Sequence, residues 1–157
     1  MSPRQLAATY TILHTESSLG WGGQERRILA EAEAMQRRGH RLFLACDPRG
    51  ELYRRARGRG FPSFPLTCGG RHSLLAWRQL RRLLREHAID ILNTHSSLDS
   101  WIGALAWRSL GKRPHLVRTR HLSTRVHNNF PTRWLYRAPG AVISTGEATR
   151  QILRQRL

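Results

Sequence analysis

Two kinds of residue in this chain stand where they can do chemistry: a set of glycines and three histidines. Gly20, Gly22 and Gly23 lie in a polar loop that runs from His14 to Gly23. Before the loop comes a short apolar run, Tyr10 to Leu13, that reads as a buried strand. Behind it, Ile28, Leu29, Ala32 and Met35 have helical spacing. A strand, a glycine-rich turn and a helix in that order make a device for holding an anionic group. Glycines let the backbone come close to a ligand, and the free N–H groups of the helix's first turn face it. The histidines are His14, His95 and His121, each at or just beyond the carboxyl end of an expected strand. A metal site made of the three histidines would need a carboxylate such as Glu16 close by, and no metal is expected.

The elements that must position these residues alternate along the chain. Residues 1–8 read as a loose leader. Strands are expected near Thr9–His14, His40–Cys46, Ser63–Leu66, Ile89–Thr94, His115–Thr119 and Ala141–Ile143. Helices are expected at Gly23–Arg38, closed by Gly39, and at Glu51–Gly58. A third runs from a Ser73 cap to about His87, with an apolar stripe of Leu74, Trp77, Leu80 and Leu84 and an outer face of Arg78, Arg81, Arg82 and Arg85. Ser96 to Asp99 has the form of a capping box opening a helix to about Leu110, and Ser144 with Glu147 has the form of another. Between the last strands come a polar, basic loop from Arg120 to Asn129 and a short helix introduced by Phe130-Pro131. Strands alternating with helices indicate an α/β fold, a Rossmann-like, doubly wound parallel sheet. Ligands meet such sheets at the carboxyl ends of the strands, so His14, His95 and His121 are expected around one crevice.

The formal net charge is +17, and of 27 basic residues all but Lys112 are arginine. A surface this basic attracts polyanions: nucleic acid, an anionic membrane face or phosphorylated substrates. The arginine-rich third helix, together with Arg54, Arg55, Arg57 and Arg59, supplies much of that charge. Trp77, Trp101, Trp107 and Trp134 read as core and helix-packing residues. Only Cys46 and Cys68 are present, without CxxC spacing, so neither a disulfide framework nor a zinc site is suggested and a cytoplasmic setting is expected. No apolar run approaches the ~20 residues that span a bilayer.

The loop sequence Gly22-Gly23-Gln24-Glu25 resembles the Gly-Gly-x-Glu motif in the first loop of the GT-B glycosyltransferases, in particular family four. The similarity continues through Ile89–Ser96, which looks like that family's strand ending in histidine, and through Leu116–His121, which looks like the strand after it. Ala141–Ser144 with Glu147 looks like the segment that closes the N-terminal domain. The resemblance covers about Tyr10 to Gln151. It implies a retaining transfer of sugar from a nucleotide-diphosphate donor to a glycan or lipid-linked acceptor, in cell-envelope or lipopolysaccharide synthesis. It implies no cofactor beyond the nucleotide sugar used as substrate. By resemblance, Gly22 and Gly23 sit against the donor diphosphate and His121 is the catalytic position that contacts the transferred sugar. His95, Arg118, Arg120 and Glu16 are acceptor or phosphate contacts. The anionic inner membrane face becomes a candidate surface for a peripheral protein.

One departure bears on everything else. Such enzymes have a second Rossmann-like domain, with a Glu-x7-Glu motif, that binds most of the nucleotide sugar. This chain reaches Leu157 where that domain would begin, and no such motif is expected in it. Residues 1–157 are therefore read as the N-terminal, acceptor-binding half, inactive without the missing C-terminal domain. Two other readings remain open. Asp47, at the end of the second strand, stands where the ribose-binding acid of a dinucleotide domain belongs, although Glu25 replaces the third glycine of that fingerprint. A basic nucleic-acid-binding module would explain the charge, but no helix-turn-helix, RNP or zinc motif accompanies it, so no nucleic-acid partner is expected.

Overall fold

The strands form one sheet because their residues alternate apolar side chains toward two faces. On β1 (Thr11–Glu16) Leu13 faces one layer and Ile12 the other; on β2 (Arg41–Cys46) Phe43 and Ala45 oppose Leu42, Leu44 and Cys46 in the same way. β3 (Ser63–Pro65), β4 (Ile91–Thr94), β5 (His115–Arg120) and β6 (Ala141–Ser144) complete the sheet in the order β3-β2-β1-β4-β5-β6, all pairs parallel. The computed structural model describes residues 8–122 and 126–156. The expected leader, through residue 7, and part of the loop after Arg120 lie outside the described residues.

Helices cover both faces. α1 (Gly23–Arg37) and α2 (Glu51–Gly58) pack Ile28, Leu29, Ala32, Leu52 and Ala56 against one side. α3 (Ser73–Glu86), α4 (Ser97–Ser109) and α5 (Phe130–Arg137) pack Leu80, Leu84, Ile102, Ala106 and Leu135 against the other, and α6 (Glu147–Arg156) follows β6. Each fully buried leucine contributes about 1.5–3 kcal/mol relative to exposure, and Leu13 and Leu92, paired side by side on β1 and β4, are both fully buried. α4 lies almost on the sheet: a Cβ added to Gly103 would come within 2.7 Å of the Thr94 methyl. The four tryptophans expected to pack do so, partly buried against the core.

Four local expectations are corrected. β1 runs past His14 to Glu16, because its pairing with β2 continues to Cys46, and the glycine loop is correspondingly shorter. The stripe of α3 is Ala76, Leu80, Leu83 and Leu84, with Trp77 on its flank; Leu74 is exposed, since small Ala76 takes the position nearest the sheet. His72, not Ser73, occupies the position before that helix. Ser144 is the last residue of β6, so Gly146 precedes α6, its carbonyl accepting from Arg150 N–H at 3.1 Å. The Ser96–Asp99 capping box is present as read: the Asp99 carboxylate accepts from Ser96 N–H at 2.9 Å.

Candidate functional site

The carboxyl ends of β1, β4 and β5 bury polar side chains where the other ends bury apolar ones. His14, Thr15 and Glu16, then Asn93, Thr94 and His95, then Arg118 and Thr119 are all buried. Buried polar groups are affordable only when hydrogen-bonded, and most of these are. Thr15 donates to Asp99 at 2.7 Å, His95 N–H donates to the same carboxylate at 2.9 Å, and Thr119 donates to Asn93 at 2.9 Å. Asp99, fully buried, ties β1, β4 and the start of α4 together; burial raises its pKa.

The three histidines form a hydrogen-bonded row. His14 Nδ1 lies 2.8 Å from His95 Nε2, and His95 Nδ1 lies 2.9 Å from His121 Nε2. Burial lowers the pKa of His14 to about 4, that of His121 to about 4 and that of His95 well below the usual value, so all three are neutral near pH 7. With neutral rings the two bonds must run the same way along the row. The inward direction would leave a buried His14 Nε2–H with no acceptor, since that nitrogen has no partner. Orphaned buried N–H groups are rarer than orphaned acceptors, so the outward direction is favoured: His14 donates to His95, and His95 to His121. His121 then carries its own proton on Nδ1, which has no partner among the described residues.

Opposite this row, α1 begins. Gly22 N–H donates to the Glu25 carboxylate at 2.7 Å, closing the first turn. Gly22 and Gly23 are exposed, and a Cβ on Gly23 would meet nothing within 4 Å, so packing does not demand glycine there. Gly22, Gly23, His95, Arg118, Arg120 and His121 line one cavity of about 650 Å³, with Trp101 and Tyr136 on its walls.

Glu16 does not line it. The strand carries this carboxylate beneath the loop, where it accepts from Ser17 N–H and Ser18 N–H, both at 2.8 Å, and from the Gln24 side chain. Burial, then the nearby Asp99 charge, pushes its pKa up to about 7. Its oxygens are engaged by the glycine loop and it lines no part of the cavity, where a phosphate or acceptor contact was expected. His95 lines the cavity, but both ring nitrogens are engaged by its neighbours. Those same bonds occupy the nitrogens a metal would need; among the described residues no group of three or more such ligands could hold one. Asp47 is held by Arg49 through both oxygens at 2.9 Å and lies off the cavity, which removes the support for a ribose-binding acid. The Glu-x7-Glu spacing does occur once, contrary to expectation, from Glu25 to Glu33. It lies on α1, where Glu33 pairs with Arg59 at 2.8 Å.

Asp99, Trp101 and Tyr136 belong to the site without having been singled out for it. Asp99 was readable as a helix cap, and the two aromatics carried no signal beyond hydrophobicity.

A parallel Rossmann-like sheet with its cavity over β1, β4 and β5 defines one half of a GT-B fold. The model of glycosyltransferase family 4 matches residues 21–157, and the chain belongs to that family. Among solved structures it is similar to a glycosyltransferase from Rickettsia africae (TM-score 0.80, 19% identity, 94% of this chain and 40% of that one). It is also similar to Anabaena HepE in complex with UDP-glucose (TM-score 0.70, 18% identity, 94% and 40%). A third is MurG of Acinetobacter baumannii (TM-score 0.64, 20% identity, 85% and 41%). The chain thus spans about 40% of the length of these proteins. None of the curated proteins matches it.

Proposed function

We propose that the chain is the acceptor-binding half of a retaining glycosyltransferase, moving a sugar from a nucleotide-diphosphate donor to a glycan or lipid-linked acceptor of the cell envelope. The observation that carries this reading is the convergence of Gly22, Gly23, His121, Arg118 and Arg120 on one cavity. The open space at Gly23 lets the donor diphosphate reach backbone N–H groups at the start of α1. Positive charge and those donors stabilise the leaving diphosphate, an electrostatic role that needs no protein nucleophile. His121, neutral and donating from Nδ1, hydrogen-bonds the transferred sugar. The rest of the donor site belongs to a second Rossmann-like domain.

The outer surface suits work at an anionic membrane. Arg78, Arg81, Arg82 and Arg85 line a groove on α3 together with Glu86, and exposed Leu74 and Leu105 lie beside Trp77. Near an anionic surface each basic residue is worth ~1 kcal/mol. Among the described residues no helix is long and apolar enough to cross a membrane, so this reading is of a peripheral protein at the inner membrane face.

The test is transfer from a panel of nucleotide-diphosphate sugars, assayed with the chain joined to a family-four donor-binding domain. Transfer from at least one donor is expected, falling about a hundredfold in His121→Ala. Saturable NAD binding that is lost on Asp47→Ala, or steeply salt-dependent binding to arbitrary duplex DNA, without transfer, would overturn it.

A further inference from the structure

Arg118 is a buried cation without an anion. It sits near the carboxyl end of β5, opposite Thr94 on β4 and Val142 on β6, and is 4% exposed. Its Nε and Nη1 are buried with no hydrogen-bond partner, and among the described residues it makes no ion pair. Burial lowers its pKa, yet a guanidinium stays charged at any ordinary pH. The charge rests 4.2 Å over the ring of Tyr136 on α5. A cation–π contact offsets only part of what burying an uncompensated ion costs.

A second cation stands beside it. Arg120, two residues along β5 and so on the same face, donates from Nη1 to the Tyr136 hydroxyl at 2.7 Å. Both arginines and Tyr136 line the cavity. The carboxylate of Glu25 lines it too, but is held by Gly22 N–H at the start of α1. The cavity therefore has two different places for negative charge. One is the start of α1 at Gly23, where the N–H groups of the first turn have no partner within the helix. The other is made of guanidinium groups braced by an aromatic ring.

We infer that Arg118, with Arg120 and Tyr136, seats a second anion distinct from the donor diphosphate: a phosphate group carried by the acceptor. The anion seat stands on Nε and Nη1 of Arg118, buried without a hydrogen-bond partner among the described residues; only its assignment to the acceptor rests on the glycosyltransferase reading. Arg118 supplies unpaired N–H donors that match phosphate oxygens. A neutral acceptor would leave the buried charge uncompensated, so the site discriminates for phosphorylated acceptors against the same sugar without phosphate.

The test is calorimetric titration of the 157-residue chain at pH 7 with glucose 6-phosphate, glucose, glucuronate and UDP, in the parent, Arg118→Gln, Tyr136→Phe and Arg37→Gln. Arg37 is an exposed arginine on α1, so its variant controls for attraction by net charge alone. Glucose 6-phosphate should bind at least tenfold more tightly than glucose and more tightly than glucuronate. Arg118→Gln should lose at least tenfold, Tyr136→Phe a few-fold, and Arg37→Gln nothing. Saturating UDP should leave the sugar phosphate bound. Thermal unfolding separates this from a structural role: Arg118→Gln should melt no lower than the parent without ligand, and only the parent should be raised by the sugar phosphate. Unchanged binding in Arg118→Gln, equal loss in Arg37→Gln, a preference for glucuronate, or one-for-one displacement by UDP would each overturn the proposal. Sugar phosphate binding that needs Arg118, in a chain that transfers no sugar when joined to a family-four donor-binding domain, would keep the anion seat and count against the glycosyltransferase reading instead.

Discussion

The two ends of the central strands are built on opposite terms. At the amino ends, Ile12, Leu13, Leu92 and Leu116 fill the apolar layers, and side-chain ties there are made at the edge of the sheet where the strands begin, by Thr11 N–H to the Asp90 carboxylate at 2.7 Å and Tyr10 N–H to His40 Nδ1 at 3.2 Å. At the carboxyl ends of β1, β4 and β5 the same degree of burial is applied to imidazoles, carboxylates and a guanidinium. β2 makes the contrast sharper, since it stays apolar through Leu44, Ala45 and Cys46 to its end. Polarity is therefore not a general property of the strand ends in this sheet. Within the strands themselves it is found on the three that border the cavity, while the buried acid of β2, Asp47, lies just past its end and is paired with Arg49. Apolar burial holds the fold, while the buried polar end costs stability and is retained for what it presents.

Substitutions separate the two ends by size of effect. At the apolar end, Leu92→Ala should cost about 2–5 kcal/mol in chemical denaturation, the usual cost of emptying a fully buried leucine site. At the polar end the effects depend on pH. His14 has its pKa lowered from 6.5 to about 4. The unfolded chain then binds the proton more readily, so stability is full above about 6.5 and falls as pH drops toward 4. For His14 alone that loss is about 3 kcal/mol, and it should shrink in His14→Leu when unfolding is followed from pH 7 to pH 4.5.

Glu16 works in the opposite direction. Its pKa is raised from 4.5 to about 7, so its protonated form suits the fold and stability is lost as pH rises from about 4.5 to 7, levelling off above that. Glu16→Gln should match the parent at pH 5 and exceed it at pH 8 by on the order of 1 kcal/mol. A flat response in both variants would mean that the polar end is open to water, and the contrast between the two ends would fail. The smallest effect is expected at Gly23→Ala, within about 0.5 kcal/mol on stability, because the added methyl meets nothing. The same change should weaken nucleotide-sugar binding, which separates a glycine kept for a ligand from one kept for packing.

Much of this contrast was legible in the residues. The alternation of strands and helices gave the sheet and placed His14, His95 and His121 around one crevice, because strand ends in a parallel sheet are set by topology. The direct row of hydrogen bonds among them was not legible, since it depends on the register between β1 and β4 and on β5 lying next. Glu16 was misread for the same reason: a polar residue two positions past an expected strand end looks like loop, but the strand continues and buries it. The apolar stripe of α3 was blurred by too many leucines, with only packing to choose Ala76 over Leu74. Arg118 was visible as a phosphate contact. Its burial without a partner, on which the second anion seat rests, was not.

The most direct measurement of the proposed function is an amide chemical-shift titration with UDP-glucose near pH 7 of the chain joined to a family-four donor-binding domain. Gly22, Gly23 and His121 should shift together along one saturable curve, with Ile12, Leu42 and Asp47 unmoved. Shifts centred on Asp47 and the end of β2, or none at Gly22 and Gly23 at saturating ligand, would contradict it.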